Sequence, residues 1–155
     1  MTSLNCATNK NKEDEELGAN YNFQHIILTT KYRNPVFDDG KTIEVARKAF
    51  YDAADRHGIR IKVLSFGEDF AHVHMEISMP YTMTVADAAQ LLKGYSSYTL
   101  FREIPSLRKE WFWGGKFWGR HYGSRSVGVQ GQDIVENYIT QQDISGRFTG
   151  QMKLN

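Results

Sequence analysis

Hydrophobic positions fall first into the rhythm of a strand and then into that of a helix. From Tyr21 to Tyr32, aromatic and β-branched residues predominate (Phe23, Ile26, Ile27, Thr29, Thr30), which predicts a strand. Asn34-Pro35 and Asp38-Asp39-Gly40 mark the turn after it. From Thr42 to His57 the apolar residues Ile43, Ala46, Ala49, Phe50, Ala53 and Ala54 recur at spacings of three and four, the buried face of a helix. Gly58 is placed to end it. Ile59, Ile61 and Val63 alternate with Arg60 and Lys62, the pattern of a half-buried strand. A turn over Gly67 to Asp69 leads to another strand from His72 to Met79, stopped by Pro80. Thr84-Val85-Ala86-Asp87 has the capping-box form, and the apolar run after it predicts a helix to about Phe101. Pro105 and the charged cluster Arg108 to Glu110 predict a loop. Trp111 to Val127, aromatic and glycine-rich, reads as a strand with a loop on each side. A last helix is predicted from about Asp133 to Gln142, with Ile134, Val135, Tyr138 and Ile139 on one stripe.

The order strand, helix, strand, strand, helix, strand, helix defines an α+β fold. It is ferredoxin/RRM-like, a mostly antiparallel sheet with helices packed on it and a C-terminal helix carrying Tyr138. No linker splits the chain after its start, so residues 20–155 are expected to form a single domain. Residues 1–19, with the acidic run Glu13 to Glu16, read as a flexible polar arm. No apolar run reaches the ~18–20 residues that cross a bilayer, and the polar start lacks the apolar core of a secretory signal. The expected location is therefore the cytoplasm. Cys6 is the only cysteine, which excludes an internal disulfide and a thiolate zinc cluster.

His72-Val73-His74 is the sharpest local feature. Side chains alternate along a strand, so both histidines share one face, roughly 7 Å apart, while Val73, Met75 and Ile77 take the other. Two imidazoles on an open face suit a divalent metal, and the same pattern describes two polar residues on a solvated face. Two ligands do not hold an ion alone, so a third is needed. Tyr138 and Gln142 lie four apart on one face of the last helix. A tyrosine hydroxyl can be a nucleophile and a glutamine carbonyl an oxygen ligand. Equally, a tyrosine on an apolar stripe fits a core.

Taken together, these pieces resemble the small single-tyrosine transposases of single-stranded-DNA insertion sequences, the IS200/IS605 group. That group belongs to the larger class with a His-hydrophobic-His (HUH) motif. The resemblance runs from Phe23 to about Ser145. It takes in His25 and Lys31-Tyr32-Arg33 on the first strand, His72-Val73-His74, and Lys93-Gly94-Tyr95-Ser96-Ser97. It continues through Trp113-Gly114-Gly115-Lys116-Phe117-Trp118 and Val127-Gly128 to Tyr138-Ile139-Thr140-Gln141-Gln142. Two positions depart from the pattern. Ala71 stands where the family commonly has Asp before the first His, with Asp69 and Glu68 nearby to take its place. Glu76 falls on the histidine side of its strand, near the expected metal site, where it is a further candidate ligand or a partly solvated edge carboxylate.

The resemblance implies an enzyme that cleaves and rejoins single-stranded DNA at hairpin-bearing element ends and at target DNA. Tyr138 would attack the scissile phosphate, giving a 5′-phosphotyrosine and a free 3′-hydroxyl. His72, His74 and Gln142 would hold Mg2+ or Mn2+. The covalent link keeps the phosphodiester energy, in accord with the absence of an ATP-binding Gly-x-x-x-x-Gly-Lys loop. One candidate nucleophile per chain and two ends to cut imply a homodimer, with an active site that the two subunits can share. Glycines at 123, 128 and 131 precede the tyrosine helix and could let it move.

Lys31, Arg33, Lys93, Lys116, Trp118, Arg120 and Arg125 are candidate DNA contacts. Trp113, Phe117, Tyr122 and Tyr95 are aromatics able to stack on bases, though each also fits a core. The total charge is +1, but seven basic residues against two acidic ones lie between Lys93 and Gly128, so the remainder is net acidic. This segregation fits a polyanionic partner whose binding weakens as salt rises. Two other readings remain open. One is a related histidine-pair nuclease, such as a replication initiator or a domesticated protein that processes hairpin DNA. The other is a non-enzymatic nucleic-acid-binding module on the same kind of sheet.

Overall fold

A computed structural model describes residues 21–128 and 131–144. The arm expected over 1–19 lies outside them. Four strands and four α-helices follow in chain order: β1 (Tyr21–Thr30), α1 (Gly40–His57), β2 (Arg60–Phe66), β3 (His72–Pro80), α2 (Val85–Glu103), α3 (Ser106–Glu110), β4 (Trp118–Ser126) and α4 (Gln132–Gln141). The sheet order is β2-β3-β1-β4, antiparallel throughout, which is the ferredoxin-like arrangement expected from the sequence.

The predicted caps are in place. Gly58 ends α1 in the left-handed region (φ 69°), where its missing Cβ removes the usual steric cost. The Thr84 hydroxyl accepts from the Asp87 N–H at 3.0 Å and starts α2. The buried face of α1 is the predicted one, with Ile43, Ala46, Ala49, Phe50, Ala53 and Ala54 all inside. It packs with Leu92 and Leu100 of α2 against Ile26, Leu28, Val73, Met75, Ile77 and Met79 of the sheet. Three details differ from expectation. The pairing of β2 with β3 slips between Ile61 and Val63, so core duty passes from Val63 to Leu64 and Phe66. The charged stretch after Pro105 coils into the short helix α3 around the buried Leu107. The last strand starts only at Trp118.

With α1 and α2 covering one sheet face, the other carries His25, His72, His74 and Glu76 and is crossed by α4. Ile139, fully buried, anchors that helix. Just beyond it the Ile144 N–H donates to the Phe66 carbonyl at 3.1 Å, and the Phe66 N–H donates to Asp143 at 3.1 Å. No described helix is long and apolar enough to cross a membrane.

Candidate active site

The antiparallel register of β1 and β3 sets His25 opposite Glu76 and Ile27 opposite His74. His25 thus reaches the same surface as the β3 histidines, and its ring stacks on that of His74 with centroids 5.4 Å apart. The His72 and His74 rings meet edge to face at 4.7 Å. Above them stands Tyr138, its ring edge-on to His74 at 6.3 Å and to His25 at 6.5 Å. His25, His74 and Tyr138 open onto a cleft of about 510 Å³ between the sheet and α4, bordered also by Arg125, Ile134 and Val135. Tyr138 is 51% exposed and Ile134 73%, so the stripe read from the sequence is split. Ile139 belongs to the core, and Tyr138 faces the cleft.

Each paired histidine has an oriented ring. The Nδ1 of His72 lies 2.5 Å from Asp69 Oδ1, and a carboxylate can only accept, so Nδ1 carries a proton and, in the neutral ring, Nε2 keeps its lone pair. Asp69, two residues before Ala71, thus sets a carboxylate against His72. Its second oxygen receives the Arg33 guanidinium at 2.8 Å, and its first also accepts the Ala71 N–H at 2.9 Å. Burial pushes the Asp69 carboxyl up, but the Ala71 N–H, Arg33 and His72 together hold it below its ordinary value. His74 Nδ1 shares a hydrogen bond of 3.2 Å with His25 Nε2. In the tautomer where His74 donates, its Nε2 is free as well. Metal-binding histidines are commonly held this way through their second nitrogen. The donor set thus fits a divalent ion.

Close packing also fixes His72. A Cβ on Gly67 would lie 2.0 Å from His72 Cε1, so only glycine lets the imidazole settle there. The carboxyl of Glu76 is fully buried on the histidine face of its strand. Among the described residues no three His, Cys, Asp or Glu side chains converge as a metal cluster. Gln142 caps the C-terminus of α4 one turn beyond Tyr138, its backbone N–H on the Ile139 and Tyr138 carbonyls at 3.1 and 3.3 Å.

Desolvation, followed by the neighbouring His72 and His25, lowers the His74 pKa to about 4. Burial and then Arg125 also lower that of His25. Above pH ~6.5 His74 is neutral in folded and unfolded chains alike and contributes nothing to pH dependence. Between that pH and about 4 the unfolded chain takes up a proton that the folded chain refuses, so stability falls as pH falls through this window. Urea midpoints should drop over that range in the metal-free protein, and a His74→Gln variant should flatten the drop. Replacing Asp69 by Ala should lower cleavage and Mn2+ affinity by about 10–100-fold, because His72 loses its orientation. Titration calorimetry beside a cleavage assay checks both numbers.

The proposed DNA contacts are spread over the β4 side of the sheet and the turn after β1. Lys116, Arg120 and Arg125 are exposed, and Arg33 is exposed but paired with Asp69. Lys31 rests over the Tyr32 ring. Lys93 is half-buried, its ammonium donating to the carbonyls of Gly119, Arg120 and His121 at 2.9–3.3 Å, and burial lowers its pKa. Trp118 is a core residue, 6% exposed, with its indole N–H on the buried Ser96 hydroxyl at 2.9 Å. Its ring packs on Phe50, Phe37 and Phe117, so no face is left for a base. Two residues given no part in the site by the sequence reading are His25 and Gly67. The alternation of β1 offered a signal for the first, and the close approach behind the second is visible only in three dimensions.

An antiparallel sheet whose outer face presents oriented imidazoles to an exposed tyrosine on a covering helix defines a single-tyrosine, histidine-paired site. The family model described as "Transposase IS200 like" matches residues 20–142. The ISDra2 transposase TnpA of Deinococcus radiodurans is 29% identical over 128 residues, 81% of this chain and 89% of that protein. The transposase for insertion sequence element IS200 of Salmonella typhimurium is 29% identical over 118 residues, 76% of this chain and 74% of that one. A crystal structure of a Deinococcus radiodurans transposase superposes with a TM-score of 0.61 at 26% identity, covering 78% of this chain and 90% of that one. A REP-associated tyrosine transposase bound to a REP hairpin shares the fold, with a TM-score of 0.54 at 11% identity, over 76% of this chain and 64% of its own. The chain belongs to the IS200-like family of transposases, enzymes that cut and join DNA strands.

Proposed function

We propose that this transposase cuts and rejoins single-stranded DNA at hairpin-bearing ends of an insertion sequence, with Tyr138 as nucleophile. The observation that carries the reading is the exposed Tyr138 ring held edge-on to His74 and His25 over an open cleft. A tyrosine serving only the core would be buried, as Ile139 beside it is. In the reaction the Tyr138 phenol loses its proton and its oxygen bonds to the scissile phosphorus. The bond from phosphorus to the 3′-oxygen breaks, leaving a 3′-hydroxyl and a 5′-phosphotyrosine. Attack by the 3′-hydroxyl of another strand reverses these steps and frees Tyr138.

His72 and His74, each with Nε2 to offer, would hold Mg2+ or Mn2+, with the Gln142 amide and DNA phosphate as oxygen donors. Such an ion, when bound, polarises a phosphate oxygen and neutralises developing charge. Asp69 and His25 keep the imidazoles oriented, and Glu76 adds a carboxyl group beneath them. Arg125, at the rim of the cleft, is placed to meet a phosphate on its way to Tyr138. A hairpin partner draws support from the relative captured on a REP hairpin. Two ends need two tyrosines, so the working form is a homodimer, although here Tyr138 lies against the histidines of its own chain. Work on DNA keeps the protein in the cytoplasm.

The test is a denaturing gel of labelled hairpin-bearing single strands incubated with the protein and Mn2+. Expected are an upstream strand ending in a 3′-hydroxyl and a downstream fragment linked to the protein through its 5′-phosphate, with duplex DNA left intact. Absence of cleavage on the element's own ends would overturn the reading.

A further inference from the structure

We propose that Tyr32, Trp111 and Trp113 form a stacking site for unpaired bases, with Lys31 and Lys116 beside it for the flanking phosphates. The inference rests on the single-strand reading above and adds a surface that grips the strand away from the cut.

The turn after β1, Lys31–Arg33, holds two consecutive non-glycine residues in the left-handed region, Tyr32 at φ 59° and Arg33 at φ 51°. Side chains rarely adopt this conformation, and core packing does not demand it, since none of the three residues is buried. Its effect is to hold Tyr32 out in solvent, 81% exposed. Facing it across a small pocket of about 190 Å³ is the loop from Trp111 to Lys116, where Trp113 is 83% and Trp111 42% exposed.

The core does not account for these rings. Phe112, Phe117 and Trp118, from the same stretch, are 3%, 1% and 6% exposed and supply its packing. The two loops are fastened together, with the Asn34 amide donating to the Trp111 carbonyl at 3.1 Å and the Lys31 N–H to that of Phe117 at 2.9 Å. The patch is therefore pre-formed. The Lys31 ammonium sits 5.3 Å over the Tyr32 ring, and Lys116 lines the same pocket. Aromatic faces bordered by cations match a nucleotide, base on ring and phosphate on ammonium. The site is also continuous with the active centre, because Arg33, next to Tyr32, bonds Asp69, which in turn bonds His72.

The experiment is fluorescence anisotropy with an oligothymidine and with an abasic strand of equal phosphate count. Wild-type protein should prefer the oligothymidine. Tyr32→Ala and Trp113→Ala should each weaken it by about fivefold to a hundredfold while leaving the abasic strand unchanged, and Trp113→Phe should retain most of the preference. Both positions are exposed, and circular dichroism of the variants should match wild type. A wild-type protein that binds and cleaves hairpin DNA but shows equal affinity for both strands would overturn the stacking site alone. So would alanine variants that bind as wild type or lose both strands equally. Failure of wild-type protein to bind either strand would overturn the single-strand reading with it.

Discussion

Replacing Tyr138 by Phe should abolish strand cleavage and the covalent protein–DNA product, a loss of about four to six orders of magnitude. The substitution removes one oxygen and leaves the ring that stands edge-on to His74 and His25. The residue is half-exposed and anchors nothing, since Ile139, Ile144 and Asp143 hold α4 to the sheet. Stability should therefore stay within about 0.5 kcal/mol of wild type, as for other exposed positions. DNA binding should persist. A gel showing covalent product from Tyr138→Phe would move the nucleophile to another residue.

The second large effect is expected at His74. Replacing it by Ala removes a proposed ligand and also leaves His25 without its 3.2 Å partner. Cleavage and Mn2+ affinity should each fall by more than the 10–100-fold expected at Asp69, because a ligand is lost and not merely its support. The order is informative: His74→Ala worst, Asp69→Ala intermediate. His74 is buried, so a His74→Gln variant, which keeps a polar side chain, controls for instability. Unchanged Mn2+ titration in His74→Ala would refute the ligand assignment.

Much of the fold could be read from the sequence, because it rests on local rules. The buried stripe of α1, its glycine stop and the threonine cap of α2 are each set by residues within a few positions of one another. What escaped depends on contacts between distant segments. The slip after Ile61 exchanges Val63 for Leu64 in the core, and its cause lies in pairing with β3. Asp69 reaches His72 because a turn folds back, a geometry that counting residues from the motif did not show. His25 joins the site through cross-strand register. In the aromatic stretch, sequence could not sort the buried Trp118 from the exposed Trp113, since that choice belongs to the packing of α1 and α2 on the sheet.

The central claim is that Tyr138 becomes covalently joined to the 5′-phosphate exposed at the cut. Wild-type protein trapped on a hairpin-bearing single strand, digested with protease and nuclease and examined by mass spectrometry, tests it directly. A nucleotide remnant on the peptide containing Tyr138 is the predicted result. A cleaved strand with that peptide unmodified, or with the remnant on another residue, would contradict it.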